Sequence, residues 1–100
     1  VAQLRQNLAA MVSAARDHGA RVLLLPMEIP PNYGPRYTSA IRESFARVAR
    51  EAGATLGPFP LEAVATDPAL MQADGIHPTA AAQPLIVDTL LPALEGVLRP

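Results

Sequence analysis

The feature of the 100-residue sequence that most constrains its fold is an order of helix, glycine and short strand that occurs twice. Residues 3–18 place apolar side chains at helical spacing, Gly19 ends that pattern, and residues 21–25 form a short run that is continuously apolar after Arg21. The same order returns over residues 37–57. Such runs are typical of strands buried on both faces, so the alternation predicts an α/β fold with a parallel sheet under helices.

Where this order occurs for the second time, the periodicity predicts a helix over residues 37–52, which Gly53 ends, and a strand over residues 54–57. The side chains expected to be buried on the first helix are Leu4, Leu8, Met11, Val12 and Ala15. Those expected to be buried on the second helix are Tyr37, Ile41, Phe45, Val48 and Ala52. Because two parallel strands make a poor sheet by themselves, the pattern indicates part of a larger doubly wound domain.

A third helix is predicted over residues 79–98, where Thr79 is a good N-cap residue. Pro84 and Pro92 each remove a backbone N–H and clash with the preceding turn, so we expect a loose first turn and a kink or break at 88–92. The side chains expected on the buried face of this helix are Ile86, Leu90, Leu94, Val97 and Leu98.

Composition excludes several classes of function. The sequence has no cysteine, which removes thiol catalysis, disulfides and cysteine-based metal sites. Its formal net charge of -1 does not suggest nucleic-acid binding. Residues 1–50 carry seven Arg against three acids and residues 51–100 one Arg against six. Solvated helix faces are favoured as the explanation over packing of the acidic half near the basic half. We expect that no apolar stretch reaches the length of a transmembrane helix, and therefore that the chain does not insert stably into a membrane.

The strongest chemical signal is the run Asp74-Gly75-Ile76-His77-Pro78. A turn of this length can fold the carboxylate back onto the imidazole, with an oxygen about 2.6–3.2 Å from Nδ1. The carboxylate then fixes one ring nitrogen as N–H and leaves the other as a proton acceptor, as in a Ser-His-Asp triad. The alternative is a purely structural turn, because Asp-Gly is a common turn pair and a histidine before proline can be a rigid corner.

A serine nucleophile and a metal site are both hard to find in the sequence. The three serines all lie in helical runs, without the Gly-rich turn that holds a nucleophile exposed: Ser13, Ser39 and Ser44. Asp74 and His77 have no third metal ligand at a suitable local spacing. His18, at the end of the first helix, is interpreted as a capping residue rather than a ligand.

Four stretches of the sequence resemble the SGNH (GDSL) hydrolases: residues 74–79, 82–84, 29–37 and 70–74. The first two are similar to the last motif block of that family. The other two resemble its bacterial acyl-CoA thioesterase, lysophospholipase and arylesterase branch. The similarity covers nearly all 100 residues but only about the C-terminal half of such an enzyme, since the Gly-Asp-Ser-Leu block and the oxyanion-hole blocks are absent. We therefore expect residues 1–100 to be the C-terminal part of a single SGNH hydrolase domain.

The resemblance implies a flavodoxin-like three-layer α/β/α fold, of which this chain would supply about two parallel strands and three main helices. It implies hydrolysis of a carboxylic ester or acyl thioester through an acyl-serine intermediate, with His77 as the base and Asp74 orienting the imidazole. It implies no metal and no organic cofactor. The expected partners are a small-molecule ester or thioester and the N-terminal half of the same domain. Periplasmic or secreted localisation is expected from the family.

The proline-rich loop at residues 26–36 is either a stiff crossover or a wall of the substrate site. The resemblance favours the second interpretation, in which an acyl chain contacts Met27, Ile29, Pro30, Pro31, Tyr33 and, from the motif, Ile76. Arg36 is interpreted as a surface ion-pair residue. The competing hypothesis for the whole chain is a small non-catalytic α/β module in which the turn between Asp74 and His77 is structural.

Overall fold

A computed structural model describes residues 1–28 and 31–99 of the chain. Within these residues the helices and strands are α1 (Ala2–Asp17), β1 (Leu23–Leu24), α2 (Pro35–Ala52), β2 (Thr55–Leu56) and α3 (Gln83–Leu98). Short 3₁₀ turns occupy Pro31–Tyr33, Pro68–Leu70 and Ala80–Ala82. The order of elements confirms the predicted alternation of helices and strands.

The two strands pair in parallel, as predicted, with Leu23 opposite Thr55 and Leu24 opposite Leu56. They are shorter than the sequence indicated, and their burial is also less than expected. Leu23 and Leu24 are only partly buried, and both residues of β2 are exposed. The expectation of strands buried on both faces was therefore wrong for the described residues, because this two-stranded ladder has no further strand beside it to complete a covered sheet.

The core lies mainly where α1 packs on α2. Its buried apolar side chains are Val12, Ile41, Phe45, Val48, Ala49, Val64 and Ala82. The predicted faces of these helices are confirmed at their centres, but Met11 and Tyr37 are exposed. Neighbouring residues on a helix point about 100° apart, and of this pair only Val12 is buried. Tyr37 lies in the first turn of α2, where its ring pairs with that of Tyr33 instead.

The end of α2 is fixed by a left-handed glycine and an arginine from α1. Gly53 has φ 85°, a conformation that favours glycine, and its N–H bonds to the carbonyl of Ala49. The Arg16 side chain donates to the carbonyl of Ala52 at 3.0 Å. A Cβ atom at Gly53 would collide with the Arg16 guanidinium. The turn and the contact between the two helices therefore depend on the same glycine.

The last helix differs from its prediction at both prolines. Pro84 lies in the first turn of α3, where its missing N–H has no intrahelical partner to lose, and the helix continues through Pro92 without a break. Thr79 precedes the 3₁₀ turn, but its hydroxyl donates to the carbonyl of Leu70 at 3.2 Å and does not cap the helix. The expected break at 88–92 and the expected capping bond are therefore both corrected.

The apolar face predicted for α3 is less buried than expected. None of its described side chains is fully buried: Ile86, Leu90 and Val97 are half-buried, and Leu94 and Leu98 are exposed. Three further large apolar residues, which lie outside the predicted face, are also exposed: Leu85, Val87 and Leu91. Together with the preceding 3₁₀ turn, α3 gives a 19-residue stretch, Ala80–Leu98, that is long and apolar enough to cross a membrane by length and composition alone. The expectation that no stretch meets that criterion was therefore wrong.

Candidate active site

Residues 70–79 form a short antiparallel hairpin. The N–H of Thr79 donates to the carbonyl of Leu70 at 2.8 Å, and the N–H of Gln72 donates to the carbonyl of His77 at 2.7 Å. Met71 and Pro78 form a bridge between the two arms. These backbone contacts fix the chain on the C-terminal side of His77 before any side chain of the turn is considered.

The tip of this hairpin is a turn organised by Asp74. Gly75 adopts φ 68°, a left-handed conformation in which a Cβ atom is disfavoured, and its N–H donates to the carbonyl of Gln72 at 2.9 Å. One carboxylate oxygen of Asp74, Oδ1, accepts from the N–H of Ile76 at 2.9 Å and from the N–H of His77 at 3.0 Å. The carboxylate is thus held by the backbone of its own turn, which is the geometry of an Asx turn.

The second oxygen of Asp74 contacts the imidazole. Oδ2 lies 2.6 Å from Nδ1 of His77, so the hydrogen bond expected from the sequence is present. A carboxylate can only accept here, which assigns the proton to Nδ1 and leaves Nε2 as the acceptor. Among residues 1–28 and 31–99, Nε2 has no hydrogen-bond partner. The His77 side chain is 67% exposed and that of Asp74 is 43% exposed, so solvent reaches the pair.

The same contacts stabilise the ionised form of Asp74. The hydrogen bond from the His77 side chain, followed by those from the backbone N–H groups of His77 and Ile76, lowers the pKa of Asp74 to about 2. Asp74 is therefore a carboxylate at any ordinary pH. An ionised, oriented carboxylate on Nδ1 is the arrangement that prepares an imidazole to take a proton at Nε2.

No nucleophile accompanies this pair in the described part of the chain. Ser44 is buried, and its hydroxyl donates to the carbonyl of Ala40 at 2.7 Å, within its own helix. Ser13 and Ser39 are exposed on α1 and α2, and neither bonds to His77. The described residues also contain no cluster of three His, Cys, Asp or Glu side chains that could hold a metal.

The structure describes only some of the predicted substrate residues. Ile29 and Pro30 lie outside the described residues, and Pro31 opens the 3₁₀ turn Pro31–Tyr33. Met27, Tyr33 and Ile76 are all exposed. A shallow groove of about 500 Å³ lies at one end of the loop and is lined by Tyr33, Gly34, Pro35, Arg36, Tyr37 and Ala40. The lining does not include Asp74, Ile76 or His77, so the groove and the acid–base pair are separate surfaces here.

An ion pair at the other end of the loop was missed by the sequence analysis. Glu28 accepts two hydrogen bonds from Arg42 of α2, from Nε at 3.0 Å and from Nη2 at 2.5 Å. Arg36, which was interpreted as the ion-pair residue, forms no ion pair with any described residue. The two partners are 14 residues apart on different elements, so no local spacing in the sequence could indicate the contact.

The other histidine behaves as predicted. His18 follows α1 directly, and its Nδ1 donates to the carbonyl of Ala14 at 2.9 Å. A bond to a free carbonyl at the end of a helix is a capping contact. His18 is therefore available as a control for His77.

Comparison with known proteins places these features in a family. The model of the GDSL-like lipase/acylhydrolase family matches residues 1–84. The esterase TesA of Pseudomonas aeruginosa is 50% identical over 97 residues, which are 97% of this chain and 48% of that protein. A thioesterase 1/protease 1/lysophospholipase L1 of Escherichia coli is 37% identical over 97% of this chain and 47% of its own length. A crystal structure of TesA, 49% identical, superposes with a TM-score of 0.91 over 97% of this chain and 54% of that chain.

The α/β fold is thus that of a class of hydrolases. The chain belongs to the GDSL-like lipase/acylhydrolase family. It spans about half the length of the curated relatives that it matches.

Proposed function

We propose that Asp74 and His77 are the acid and base of a Ser-His-Asp triad that hydrolyses carboxylic esters or acyl thioesters. The observation that carries this proposal is the 2.6 Å contact between Asp74 Oδ2 and His77 Nδ1, together with the free Nε2 in the described structure. Family membership supports a hydrolase, and the names of its relatives include both an esterase and a thioesterase.

In the proposed mechanism, Nε2 of His77 accepts the proton of a serine hydroxyl as the oxygen attacks the acyl carbonyl. The imidazolium that forms is stabilised by the ionised Asp74 and then donates its proton to the leaving group. Water, deprotonated by the same Nε2, hydrolyses the acyl-serine and regenerates the site. This cycle needs no metal and no organic cofactor.

The serine and the oxyanion donors are proposed to come from polypeptide other than residues 1–100. Three observations support a partner for this chain. The relatives are about twice as long, none of the three serines bonds to His77, and α3 exposes a row of leucines. Burying such apolar surface against the other half of the domain would be favourable at about 25 cal/mol per Å². The proposed substrate surface is formed by the loop at residues 26–36 together with Ile76.

The competing hypothesis is a structural turn in a non-catalytic module. Its support is that the hydrogen bonds of Asp74 are satisfied within residues 74–77. The two hypotheses differ in what removal of the imidazole does. A structural histidine affects stability, whereas a catalytic base affects turnover.

The decisive experiment compares His77→Ala with His18→Ala. Both substitutions are made in the natural protein that contains these 100 residues. We expect His77→Ala to lower kcat on p-nitrophenyl butyrate by several orders of magnitude and His18→Ala to leave it within about twofold, because only His77 would carry the proton. Thermal unfolding of both variants is measured alongside. Near-normal turnover by a folded His77→Ala protein would support the structural hypothesis.

A second experiment uses residues 1–100 alone. We expect no ester hydrolysis, since the nucleophile and oxyanion donors account for most of the rate in such enzymes. Turnover that persisted after replacement of all three serines by alanine would refute the triad. Turnover that disappeared with one serine would identify a nucleophile inside this chain and refute the need for a partner.

A further inference from the structure

We propose that Gln72 is a positioning residue for His77, because its side chain bonds across the hairpin to the carbonyl of Pro78 and so fixes where the imidazole stands relative to the hairpin arms. The proposal rests on the proposed function and adds to it a residue outside the acid–base pair. Asp74 orients the ring inside the turn, whereas Gln72 orients the turn itself.

The first observation is how few bonds join the two arms of the hairpin, which are residues 70–72 and residues 77–79. Among the described residues, two backbone hydrogen bonds cross between the arms, one into the carbonyl of His77 and one into that of Leu70. The N–H of His77, which could form another, donates to Asp74 of its own turn instead. A side-chain bond between the arms therefore adds substantially to what holds them together.

The second observation is that Gln72 contacts two successive carbonyls. Its backbone N–H donates to the carbonyl of His77 at 2.7 Å, and its side-chain Nε2 donates to the carbonyl of Pro78 at 3.2 Å. The direction of each carbonyl depends on the ψ angle of its residue, and the proline ring fixes the φ angle between the two. One residue therefore constrains the chain on both sides of the peptide bond that joins His77 to Pro78.

The third observation is what the bonds of Asp74 leave undetermined. Asp74 accepts from the backbone N–H of His77 and contacts its ring, so these bonds fix the ring within the turn but not the turn relative to the arms. The carbonyl of Gln72 accepts from the N–H of Gly75 and closes the other end of the turn. Gln72 thus holds the turn at both of its ends, and its side chain is the part that reaches past His77.

The consequence for the reaction is an effect on rate and not on substrate binding. A general base acts only within hydrogen-bond reach of its proton, and a misplacement of about 1 Å can cost about 10²-fold in rate. The Gln72 side chain is exposed, so water competes for its bond. Loss of that bond should therefore lower kcat by about fivefold, the factor that an ordinary net hydrogen bond is worth.

The test measures kcat and KM for p-nitrophenyl butyrate in the natural protein and in Gln72→Met, well below the temperature of unfolding. Methionine has a similar length but no N–H, so the backbone bonds at this position remain while the side-chain bond is lost. We expect kcat to fall about fivefold and KM to stay within about twofold. The midpoint of the pH–rate profile and the low-field Nδ1 proton signal of His77 should not change, because Asp74 is untouched.

Two further variants separate positioning from general stability. Gln83 is the matched control, since it is also an exposed glutamine whose Nε2 donates to a carbonyl at 3.2 Å, that of Thr79, but its bond does not cross the hairpin. We expect Gln83→Met to leave kcat within about twofold. Gln72→Lys restores a donor of sufficient length and should bring kcat back to within about twofold of the natural protein.

The proposal is overturned if Gln72→Met keeps normal kcat, if Gln83→Met lowers kcat equally, or if Gln72→Lys does not recover. A shifted pH profile or a lost Nδ1 signal in Gln72→Met would also overturn it, since Gln72 would then act on the acid–base bond itself. So would failure of Gln72→Met to fold, because the residue would then support the whole fold.

One additional variant distinguishes failure of this proposal from failure of the proposed function. If hydrolysis is lost in His77→Ala while Gln72→Met is normal, the triad stands and only the role of Gln72 is refuted. If hydrolysis persists unchanged in His77→Ala, the proposed function itself is refuted, and the role of Gln72 falls with it.

Discussion

The hairpin at residues 70–79 and the proline-rich loop at residues 26–36 are held in opposite ways. In the hairpin, backbone bonds and Asp74 bind residues no more than nine positions apart. The loop is attached to α2, through Glu28 at one end and Tyr33 at the other. The hairpin therefore carries its own geometry, whereas the geometry of the loop depends on a neighbouring helix.

This difference indicates which substitutions should change the rate of the reaction at such a site and which should change its choice of substrate. An acid–base pair made by local bonds tolerates changes in the rest of the domain. The loop that is proposed as a substrate wall is held from outside, so it should respond to changes in its support. The comparison predicts that substitutions in the hairpin act on rate, while those around the loop act on the choice of substrate.

The largest effect is expected from Asp74→Asn. An amide can still accept the two backbone bonds of the turn, but it does not fix the His77 tautomer, so kcat should fall by about 10⁴. Asp67→Asn is the matched control, because Asp67 also accepts a backbone bond, from Ala69 at 3.0 Å, away from any imidazole. If both substitutions had equally small effects on ester turnover, Asp74 would not be a member of the catalytic pair.

The next effect is expected from Gly75→Ala. A side chain at φ 68° costs roughly 1–2 kcal/mol, which should appear as a loss of hairpin stability in hydrogen exchange. Among the described residues, no atom beyond the two chain neighbours lies within 4 Å of the Cβ position, so strain and not collision is the cause. Gly96→Ala in α3 has the opposite expected sign, a gain of about 1 kcal/mol, because alanine favours helix. Gly75→Ala without any destabilisation would show that the turn is not constrained by its glycine.

A smaller and more selective effect is expected from Tyr33→Ala. Each methylene buried against the loop contributes about 0.8 kcal/mol, so kcat/KM should fall more for long than for short acyl esters. Met11→Ala serves as control, since Met11 is equally exposed but lies on α1. A uniform loss for every chain length would argue against a groove at Tyr33.

The smallest effect concerns pH. The pKa of Asp74 is depressed to about 2, so the stabilisation it gives the turn is present above the ordinary Asp range and is lost only as pH falls through about 2. Between pH 4 and pH 9 the ionisation of Asp74 should not change. The carboxyl ¹³C resonance of Asp74 should therefore titrate with a midpoint near 2, and a midpoint near 4 would contradict the hydrogen bonding described here.

The sequence predicted those parts of the molecule whose causes are local. Gly19 and Gly53 ended two helices as expected, and the spacing of Asp74 and His77 predicted their contact because both belong to one turn. The same is true of His18, which caps the turn beside it. Each of these features is decided within about four residues.

The remaining features depend on distant partners. Pro92 was expected to break α3, yet the helix continues, so the local cost of proline is outweighed by the rest of the helix. The contact of Arg42 with Glu28 joins two elements and has no periodic signal. The burial of β1 and α3 was overestimated. An apolar sequence indicates that a side chain is suited to burial, but it does not indicate whether a neighbouring element is present to bury it. The roles of Asp74 and His77, and those of the loop residues, stay predictions.

The side chain of Arg21 has a consequence for the timing of folding. Arg21 lies two residues before β1 and donates to the carbonyls of Val97 and Arg99, which lie 76 and 78 residues further along the chain. During synthesis from the N-terminus this contact can close only after α3 has left the ribosome, at about 5–20 residues per second. The entropy of closing a loop rises only slowly with its length, so the delay costs time more than free energy. Until then β1 can pair with β2 but cannot contact the end of α3, and the 76 residues between Arg21 and Val97 take several seconds to synthesise.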